Sequence, residues 1–458
     1  MTPWESRRVV VAGLGVSGAA AARALAALGA HVVGLDAREG DYSALEADGV
    51  RVLLGAATLP EGVDLVVTSP GWRPDSPLLL AAAAHGVPVW GEVELAWRLR
   101  GPGAAQWLAV TGTNGKTTTV GMLDAMLQAA GLQSIAAGNI GKPLVEVVGS
   151  AGYDVIAVEL SSFQLHWSSS IEPLAAAVLN LAPDHLDWHG TFENYGEAKA
   201  KIWAPSTVAV GNADDPLSAG LLADASPGRR VAFTLDAPRL DELGVVEDLL
   251  VDRAFVDDPV HGAVELATLD DLHLSGPHNV ANALAAAALA RAYGVSPEAV
   301  RDGLRGVQPG AHRNVLVAVV GDVAWVNDSK ATNPHAADAS LTAYPSVVWV
   351  AGGLLKGADV DELVRHHAER LRAAVLIGAD RAQVREALAR HAPDVPVREV
   401  DATDTEAMTT VVAVAAGLAE PGDTVLLAPA AASMDMFRDY AARGDAFAAA
   451  VQALGAAR

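Results

Sequence analysis

The chain of 458 residues contains no cysteine. This absence excludes disulfide bonds, thiolate metal ligands and a cysteine nucleophile, and it is typical of proteins from a reducing compartment. No hydrophobic run reaches the length of roughly 18 residues that a membrane-spanning helix needs, and the amino terminus lacks the apolar core of a signal peptide. We therefore expect a cytoplasmic protein without membrane insertion, and we expect a monomer.

Basic residues are also scarce. The chain has 32 lysines and arginines against 55 aspartates and glutamates, which gives a formal net charge of −23. A nucleic-acid partner is therefore not expected, because phosphate repulsion would have to be overcome locally. A bound nucleoside triphosphate is not excluded, because a metal ion and one or two lysines act at close range. Aromatic residues make up 5%, but 51% of the chain is hydrophobic, which is enough for a core in each of several domains.

Strand-like and helix-like segments alternate in three regions separated by glycine- and proline-containing linkers, which predicts three α/β domains with parallel sheets. We predict the boundaries at residues 1–99, 100–308 and 309–458.

The most informative segment follows the apolar run 107–110 and opens an amphipathic segment. We call it the phosphate loop, and it consists of Gly112, Thr113, Asn114, Gly115, Lys116, Thr117 and Thr118. Glycines let backbone N–H groups turn toward phosphate oxygens, the helix N-terminus favours anions, lysine reaches the terminal phosphates and threonine offers a hydroxyl to Mg²⁺. Only two residues separate the glycines, where the usual loop has four, and this narrows the families to which the chain can belong.

A second glycine-rich turn, which we call the glycine loop, runs from Gly13 to Gly18 after the first strand-like segment, and Asp36 ends the next one. This is the full dinucleotide-type fingerprint of a Rossmann-like domain. Three interpretations stay open: a nicotinamide dinucleotide, a different diphosphate held by the same helix N-terminus, or a tight turn without a ligand. Arg38 and Ser69 lie where such sheets place their ligands.

Polar groups at other strand ends carry further candidates. Glu159 is a natural Mg²⁺ ligand, although the serines after it also read as a helix cap. His185 lies in a loop rich in His and Asp that suits a transition metal or oxygen-ligated Mg²⁺. Asn279 and Asn282 share one helix face and can contact an adenine and a ribose, or Asn279 can be only a cap.

The third region places two lysines, a threonine and a serine after apolar strands, which suits an anionic amino acid. These residues are Lys330, Thr332, Lys356 and Ser433.

Several motifs follow one another in a fixed order and together resemble the Mur ligases, the ATP-dependent amide-forming enzymes of peptidoglycan precursor synthesis. They are the shortened phosphate loop, Glu159-Leu-Ser-Ser, Asn180 to His185, His278-Asn279-x-x-Asn282, His312-Arg313 and Asp328-Ser-Lys-Ala-Thr-Asn. Within that family the chain is most similar to the member that adds D-glutamate to UDP-N-acetylmuramoyl-L-alanine.

The resemblance implies a Rossmann-like first domain, a central domain like that of phosphate-loop ATPases with a parallel sheet, and a Rossmann-like third domain. It assigns ATP to the phosphate loop together with Asn279, Asn282, Arg313 and Asp328. It assigns the UDP-linked substrate to Gly15, Val16, Ser17, Asp36, Arg38, Ser69 and Asn139. It assigns D-glutamate to Lys330, Thr332, Lys356, Ser433 and Tyr440.

The resemblance further implies two Mg²⁺ sites served by Thr117, Glu159, His185 and Lys199, with Lys199 as a carbamate. Lys116, His185 and Lys199 are the implied catalytic residues. The rival hypotheses are a related amide ligase, a nicotinamide-dependent oxidoreductase built on the glycine loop, and a non-catalytic nucleotide-binding regulator.

Overall fold

The computed structural model describes residues 4–55, 58–150, 152–258, 260–274, 276–307, 310–401 and 407–456. The expected boundary between residues 308 and 309 lies outside these ranges. Within them, three sheets form and helices cover their faces, so the expected α/β class with a sheet in each of three regions is confirmed.

The strands are β1 (Arg8–Ala12), β2 (His31–Asp36), β3 (Arg51–Leu54), β4 (Leu65–Thr68), β5 (Val89–Gly91), β6 (Gln106–Thr111), β7 (Ser134–Gly138), β8 (Val155–Glu159), β9 (Ala175–Val178), β10 (Val208–Asn212), β11 (Arg229–Phe233), β12 (Glu242–Val246), β13 (Leu249–Asp252), β14 (Val264–Thr268), β15 (Val315–Val320), β16 (Val323–Asn327), β17 (Val347–Gly352), β18 (Leu371–Ile377), β19 (Val397–Glu399) and β20 (Thr424–Leu427).

The helices are α1 (Val16–Ala27), α2 (Ser43–Ala47), α3 (Pro77–Ala84), α4 (Glu92–Leu99), α5 (Lys116–Ala129), α6 (Leu144–Val148), α7 (Ser162–His166), α8 (Leu186–His189), α9 (Phe192–Ala200), α10 (Pro216–Asp224), α11 (Pro277–Tyr293), α12 (Pro297–Gly306), α13 (Pro334–Thr342), α14 (Asp361–His367), α15 (Arg381–His391), α16 (Ala407–Leu418) and α17 (Tyr440–Ala456).

The first sheet has the order β3-β2-β1-β4-β5, and its neighbouring strands run parallel. Its central strands are continuous apolar runs buried on both faces, as expected where helices cover a parallel sheet. Parallel strands place their carboxyl ends at one edge, so the loops after β1, β2 and β4 meet there.

The central sheet has the order β14-β13-β12-β11-β10-β9-β6-β8-β7. Strands β6 to β12 pair in parallel, whereas β13 and β14 run antiparallel and extend the sheet at one end. The sequence pattern indicated only the parallel part. The hairpin between β12 and β13 turns at Glu247, which adopts a left-handed backbone conformation without the glycine that usually marks such a turn.

The third sheet has the order β15-β16-β20-β17-β18-β19, with β15 antiparallel to β16 and the remaining pairs parallel. The neighbouring strands β16, β20 and β17 therefore place the loops after them at one edge. These loops carry the residues that the sequence analysis connects with an amino-acid substrate.

The chain divides into two compact units, of which one contains Met1–Leu181 and Glu193–Val307 and the other contains Ala182–Phe192 and Gln308–Arg458. The first and central sheets thus belong to one unit. Among the described residues, no helix combines the length and the apolar character that crossing a bilayer requires.

Helix α4 joins the first sheet to the central sheet by two buried carboxylates. Oε1 of Glu92 accepts a hydrogen bond of 2.6 Å from the N–H of Val145 at the start of α6. Glu94 accepts hydrogen bonds from the N–H groups of Ser169 (2.9 Å) and Ser170 (3.0 Å), and also from the hydroxyls of both serines. We call this contact the α4 seam, and it explains why the two sheets form one unit.

Candidate active site

The phosphate loop turns sharply between β6 and α5. Gly112 has φ of +150° and Gly115 has φ of +85°, so glycine is required at Gly115 because other residues avoid this left-handed conformation. Lys116 is the first residue of α5, and the N-terminus of this 14-residue helix therefore adjoins the turn. Free N–H groups at such a helix end bind anions such as phosphate.

Two lysines meet at one carbonyl oxygen of the phosphate loop. Nζ of Lys116 donates to the carbonyl of Gly112 at 2.8 Å and to that of Thr113 at 2.8 Å. Nζ of Lys199, from α9, donates to the same Gly112 carbonyl at 2.8 Å, and Lys199 is only 1% exposed. Two cations beside one neutral acceptor repel each other, so this arrangement suits a bound polyanion or a change in the charge of one lysine.

Glu159 ends β8 beside the phosphate-loop strand, because β8 pairs with β6 in register Val110 to Glu159. Its Oε1 accepts a hydrogen bond of 2.8 Å from Nδ2 of Asn139. Its Oε2 is buried and has no hydrogen-bond partner among the described residues. A hard divalent cation would satisfy this carboxylate oxygen, so the residues fit a Mg²⁺ site next to the phosphate loop, where Thr117 adds a hydroxyl in the first turn of α5.

Asn282 and Asn180 lie against the phosphate loop. Oδ1 of Asn282, which is 6% exposed, accepts from the hydroxyl of Thr119 at 3.3 Å, and a Cβ added to Gly115 would lie 2.3 Å from this oxygen. Oδ1 of Asn180 accepts from the N–H of Asn114 at 2.9 Å, and Nδ2 of Asn180 donates back to the Asn114 carbonyl. Both side chains hold the shape of the loop. Asn279 is more exposed and accepts a hydrogen bond of 3.3 Å from Asn282.

Tyr195 is a part of the site that the sequence analysis did not identify. Its hydroxyl lies 3.0 Å from the Thr113 hydroxyl, and its ring lies 4.6 Å from Nζ of Lys199. Tyr195 and Lys199 are four residues apart on α9, and the i, i+4 spacing is the signal that could have paired them.

The glycine loop, Asp36 and Ser69 form one cluster at the carboxyl edge of the first sheet. Oδ2 of Asp36 accepts from the N–H of Leu14 at 2.7 Å, and the Ser69 hydroxyl donates to the Gly13 carbonyl at 2.8 Å. Burial alone would raise the pKa of Asp36, but hydrogen bonds from Arg38 and Leu14 outweigh it and lower the pKa, so this carboxylate stays ionised. Arg38, whose side chain is 76% exposed, pairs with Asp36 and remains accessible to a ligand.

Val16 and Ser17 open α1 directly after Gly15, so the residues assigned to the UDP-linked substrate surround a helix N-terminus. Asn139 directly follows β7 of the central sheet, and it supports Glu159 through the hydrogen bond described above.

His185 lies in the segment Ala182–Phe192, which belongs to the second unit. Its backbone is left-handed, with φ of +54°, and its Nε2 lies 3.5 Å from Oδ2 of Asp184. Arg313 and Asp328 also belong to this unit. Burial raises the pKa of the Asp328 carboxyl, and hydrogen bonding by Ser340 and the charge of Arg313 oppose the shift.

The loops after β16, β17 and β20 are bound to each other by backbone hydrogen bonds. The N–H of Ala430 donates to the Ala331 carbonyl at 3.0 Å, and Leu354 and Ala432 exchange hydrogen bonds of 2.8 and 2.9 Å. Nζ of Lys330 lies 3.9 Å from the centre of the Tyr440 ring. The structure therefore brings Lys330 and Tyr440 together and joins the loops that carry the remaining residues assigned to D-glutamate, namely Thr332, Lys356 and Ser433.

Comparison with known families gives matches along most of the chain. Residues 7–91 match the Mur ligase MurD-like N-terminal domain, residues 110–290 match the Mur ligase middle domain, and residues 312–431 match the Mur ligase, glutamate ligase domain.

Comparison with curated proteins and solved structures agrees with these matches. The chain is 61% identical to UDP-N-acetylmuramoylalanine--D-glutamate ligase of Streptomyces avermitilis, over 100% of both chains. It is 60% identical to the ligase of the same name from Thermobifida fusca, over 98% of this chain and 99% of the other. Its fold is similar to that of a pseudomurein peptide ligase type C from Methanothermus fervidus, with a TM-score of 0.61, 18% identity, and coverage of 98% and 100%. The resemblance inferred from the motifs is confirmed, and the chain belongs to the Mur ligase family.

Proposed function

We propose that this chain is a ligase that uses ATP to join D-glutamate to UDP-N-acetylmuramoyl-L-alanine in peptidoglycan precursor synthesis. The high identity to ligases of that name over the full chain supports the choice of substrates. The observation that carries the chemistry is the phosphate loop, where two lysines donate to one carbonyl. Beside it stands a buried oxygen of Glu159 that has no hydrogen-bond partner in the described part of the chain.

The proposed reaction begins with activation of a carboxylate, because a carboxylate is a poor electrophile and amide formation in water is uphill. The L-alanyl carboxylate attacks the γ-phosphorus of ATP and yields an acyl phosphate and ADP. The amine of D-glutamate then attacks the acyl carbon, and the tetrahedral intermediate expels phosphate. Lys116 and the α5 N-terminus stabilise negative charge during the first transfer.

Each group of residues has one task in this proposal. The glycine loop, with Asp36, Arg38 and Ser69, binds the UDP-linked substrate. Asn139 also faces this substrate and supports Glu159. Glu159, Thr117, His185 and Lys199 serve two Mg²⁺ sites, where the metal supplies neutralisation of phosphate charge. Asn279, Asn282, Arg313 and Asp328 serve ATP. Lys330, Thr332, Lys356, Ser433 and Tyr440 bind D-glutamate, and lysines suit its two carboxylates.

The experiment that tests this proposal measures ADP release by the purified full chain with ATP, Mg²⁺, UDP-N-acetylmuramoyl-L-alanine and D-glutamate, each omitted in turn. We expect release to need all four components. Release supported by L-alanine but not by D-glutamate would reassign the chain to another amide ligase. Lys116→Ala should lower kcat by at least about 100-fold, because it removes a charge that stabilises the transition state.

We also propose that Lys199 carries a carbamate. The buried amine shares its acceptor with the ammonium of Lys116, and the modification would turn a repelling cation into a two-oxygen anion beside the proposed metal site. Lys199→Ala should therefore lose activity and recover part of it with a short carboxylic acid. Lys201→Ala is the matched control, because Lys201 lies on the exposed side of the same segment and donates to the His166 carbonyl. Equal loss in both variants, or no rescue, would contradict the carbamate.

A further inference from the structure

Arg443 is a buried cation of the second unit that no motif of the sequence analysis indicated. It lies on α17 and is 1% exposed. Its Nε donates to the hydroxyl of Ser329 at 3.0 Å, its Nη2 donates to the carbonyl of Ser329 at 2.9 Å, and its Nη1 donates to the carbonyl of Ala431 at 3.1 Å. One guanidinium thus holds the loop after β16 and the loop after β20.

The two loops held by Arg443 carry the residues assigned to the amino acid. Lys330 follows Ser329 directly, and Ser433 is two residues beyond Ala431. Tyr440, the residue under the Lys330 ammonium, begins the same helix as Arg443, and its carbonyl accepts from the Ser329 hydroxyl at 2.7 Å. A change at Arg443 would therefore move both walls of the proposed pocket.

Asn327 attaches the same helix at a second point. Its Nδ2 donates to the carbonyl of Gly444 at 2.9 Å and lies 3.1 Å from Nδ1 of His312, and its Oδ1 accepts from the N–H of Ser329 at 3.1 Å. A Cβ added to Gly444 would lie 2.3 Å from the His312 ring. The start of α17 is consequently fixed against the loop after β16 with little free space.

The burial of a guanidinium is costly, and a well-packed apolar side chain often stabilises a fold as much or more. Burial lowers the pKa of Arg443 to about 10, although the negative charge of Asp435 opposes this shift. The lowered pKa reflects the free-energy cost of burying the guanidinium. The guanidinium stays protonated at neutral pH. A lysine could not replace its geometry, because arginine spreads its donors over a rigid planar fork whereas lysine is a single point charge.

We propose that Arg443 is a positioning residue for the amino-acid acceptor, in that its guanidinium sets the spacing between the Lys330 loop and the Ser433 loop. The inference rests on the proposed function, since it takes these loops as the D-glutamate site. It adds to that function a residue that touches no substrate and acts through the two loops.

The test compares Arg443→Lys and Arg443→Met with Arg438→Lys in the full chain. Arg438 lies two residues before α17, its side chain is 86% exposed, and it pairs with its neighbour Asp439, which makes it a matched control. We expect both Arg443 variants to raise the KM for D-glutamate by about tenfold or more. The KM values for ATP and for the UDP-linked substrate should stay within about twofold, and Arg438→Lys should behave as the unmodified chain.

A milder variant, Ser329→Ala, tests the same proposal if the Arg443 variants fail to fold. Ser329→Ala removes the hydroxyl between Arg443 and the Tyr440 carbonyl while it leaves the guanidinium in place, and it should shift the same KM in the same direction by a smaller factor. Unchanged KM for D-glutamate in folded variants would overturn the proposal. A wild-type KM for D-glutamate in Arg443→Lys would also overturn it, because a positive charge without the guanidinium geometry would then be enough to position the two loops.

Hydrogen exchange separates failure of this inference from failure of the proposed function. Amides of residues 328–333 and 430–433 should exchange faster in Arg443→Met than in Arg438→Lys, whatever the substrate. If wild-type chain does not use D-glutamate but these amides lose protection, the positioning role stands and the acceptor assignment is wrong. If protection is unchanged, the positioning role is wrong.

Discussion

The space around the backbone decides which residues the glycine loop can carry. A Cβ at Gly18 would lie 1.8 Å from the carbonyl oxygen of Gly13, and a Cβ at Gly13 would lie 2.8 Å from the Ser69 hydroxyl. The first distance is far below any van der Waals contact, so the strand, turn and helix of the glycine loop approach each other only because Gly18 has no side chain.

Gly18→Ala should destabilise the chain by about 1–3 kcal/mol, because the new methyl group forces α1 away from the Gly13 carbonyl. It should also weaken binding of the UDP-linked substrate. Gly220→Ala is the control, since this glycine lies within α10 with nothing within 4 Å of its Cβ position, and alanine should stabilise a helix there by about 0.5–1 kcal/mol. Urea unfolding measures both. Similar stability of Gly18→Ala and the unmodified chain would show that the loop can open without cost.

Candidate site residues that belong to a local motif could be predicted from the sequence, whereas those defined by contacts within the fold could not. Lys116 and Glu159 were predictable because glycine spacing and a strand end mark them locally. Arg443 was not predictable, because its partner Ser329 lies far away along the chain and its burial became visible only with the fold. Tyr195 could have been paired with Lys199 by its i, i+4 spacing, but its contact with Thr113 could not be read from the sequence. Asn282 was predicted to serve ATP, but its contacts with Thr119 and Gly115 could not be read from the i, i+3 spacing.

At the scale of elements, the α4 seam places two carboxylates of one helix in opposite electrostatic situations. Burial raises the pKa of Glu92 to about 7, and hydrogen bonds from the N–H groups of Val145 and Leu144 offset only part of this cost. Burial also acts on Glu94, but hydrogen bonds from Ser169, Ser170 and Arg98 outweigh it and lower the pKa. The two residues should therefore give opposite pH dependences.

Glu92→Gln should stabilise the chain above neutral pH. The folded-state pKa of Glu92 is raised, so the folded chain holds a proton that the unfolded chain loses, and stability falls as pH rises from about 4.5 to about 7. Glutamine removes this loss, and the gain over the unmodified chain should be near zero at about pH 4 and reach roughly 3 kcal/mol at about pH 8. Urea unfolding across this range measures it, with exposed Glu46→Gln as the control. A difference that does not vary with pH would contradict the assignment.

Glu94→Gln should destabilise the chain by about 1–3 kcal/mol at neutral pH, because an amide group would face backbone N–H donors or Arg98. The lowered pKa means that the carboxylate stabilises the fold above its unfolded-state pKa and loses this effect as pH falls. The penalty of Glu94→Gln should therefore shrink in acid, the reverse of the trend for Glu92→Gln. Thermal unfolding of Glu94→Gln and of the unmodified chain at acidic and at neutral pH measures this penalty. A loss of stability that grows as the pH falls would refute the prediction.

Many of the parallel strands coincide with apolar runs of the sequence, as β4, β8 and β20 do. The β12–β13 hairpin was missed, because its strands are short and its turn at Glu247 lacks the usual glycine. The α4 seam was also not readable, because a glutamate on a helix suggests a solvated face until the neighbouring elements are known.

At the scale of the whole molecule, the proposed function requires a chain of charge −23 to bind anionic ligands. Lys116 of the phosphate loop, and Lys330 and Lys356 in the loops after β16 and β17, act at short range. The net negative field acts over about a Debye length. The net negative charge should therefore slow the approach of an anion, and the lysines should attract the anion only when it is close to them.

Added salt should accordingly raise kcat/KM for D-glutamate by about two- to threefold between low and moderate ionic strength, because screening weakens the long-range repulsion. Steady-state kinetics with potassium chloride measure this effect, and sucrose at equal osmolality is the control. A fall in kcat/KM with salt would mean that the local lysines dominate the field.

The family and the three-sheet architecture were predictable from sequence because several motifs occur in a fixed order over the whole length. The grouping of the first two sheets into one unit was not, since it depends on side chains that become buried only when the sheets meet.

The α4 seam limits how the chain can be taken apart or recombined. Cutting after Leu99 would remove the N–H donors of residues 145, 169 and 170 from Glu92 and Glu94 and would leave Glu94 with Arg98 alone. It would also expose Val93 and Leu95, both 0% accessible in the fold. A transplant of the first sheet into a relative would have to carry the matching segments 143–148 and 167–170 with it. Exchange of the first sheet and its helices between lineages should therefore be rare unless both sides of the seam are inherited together.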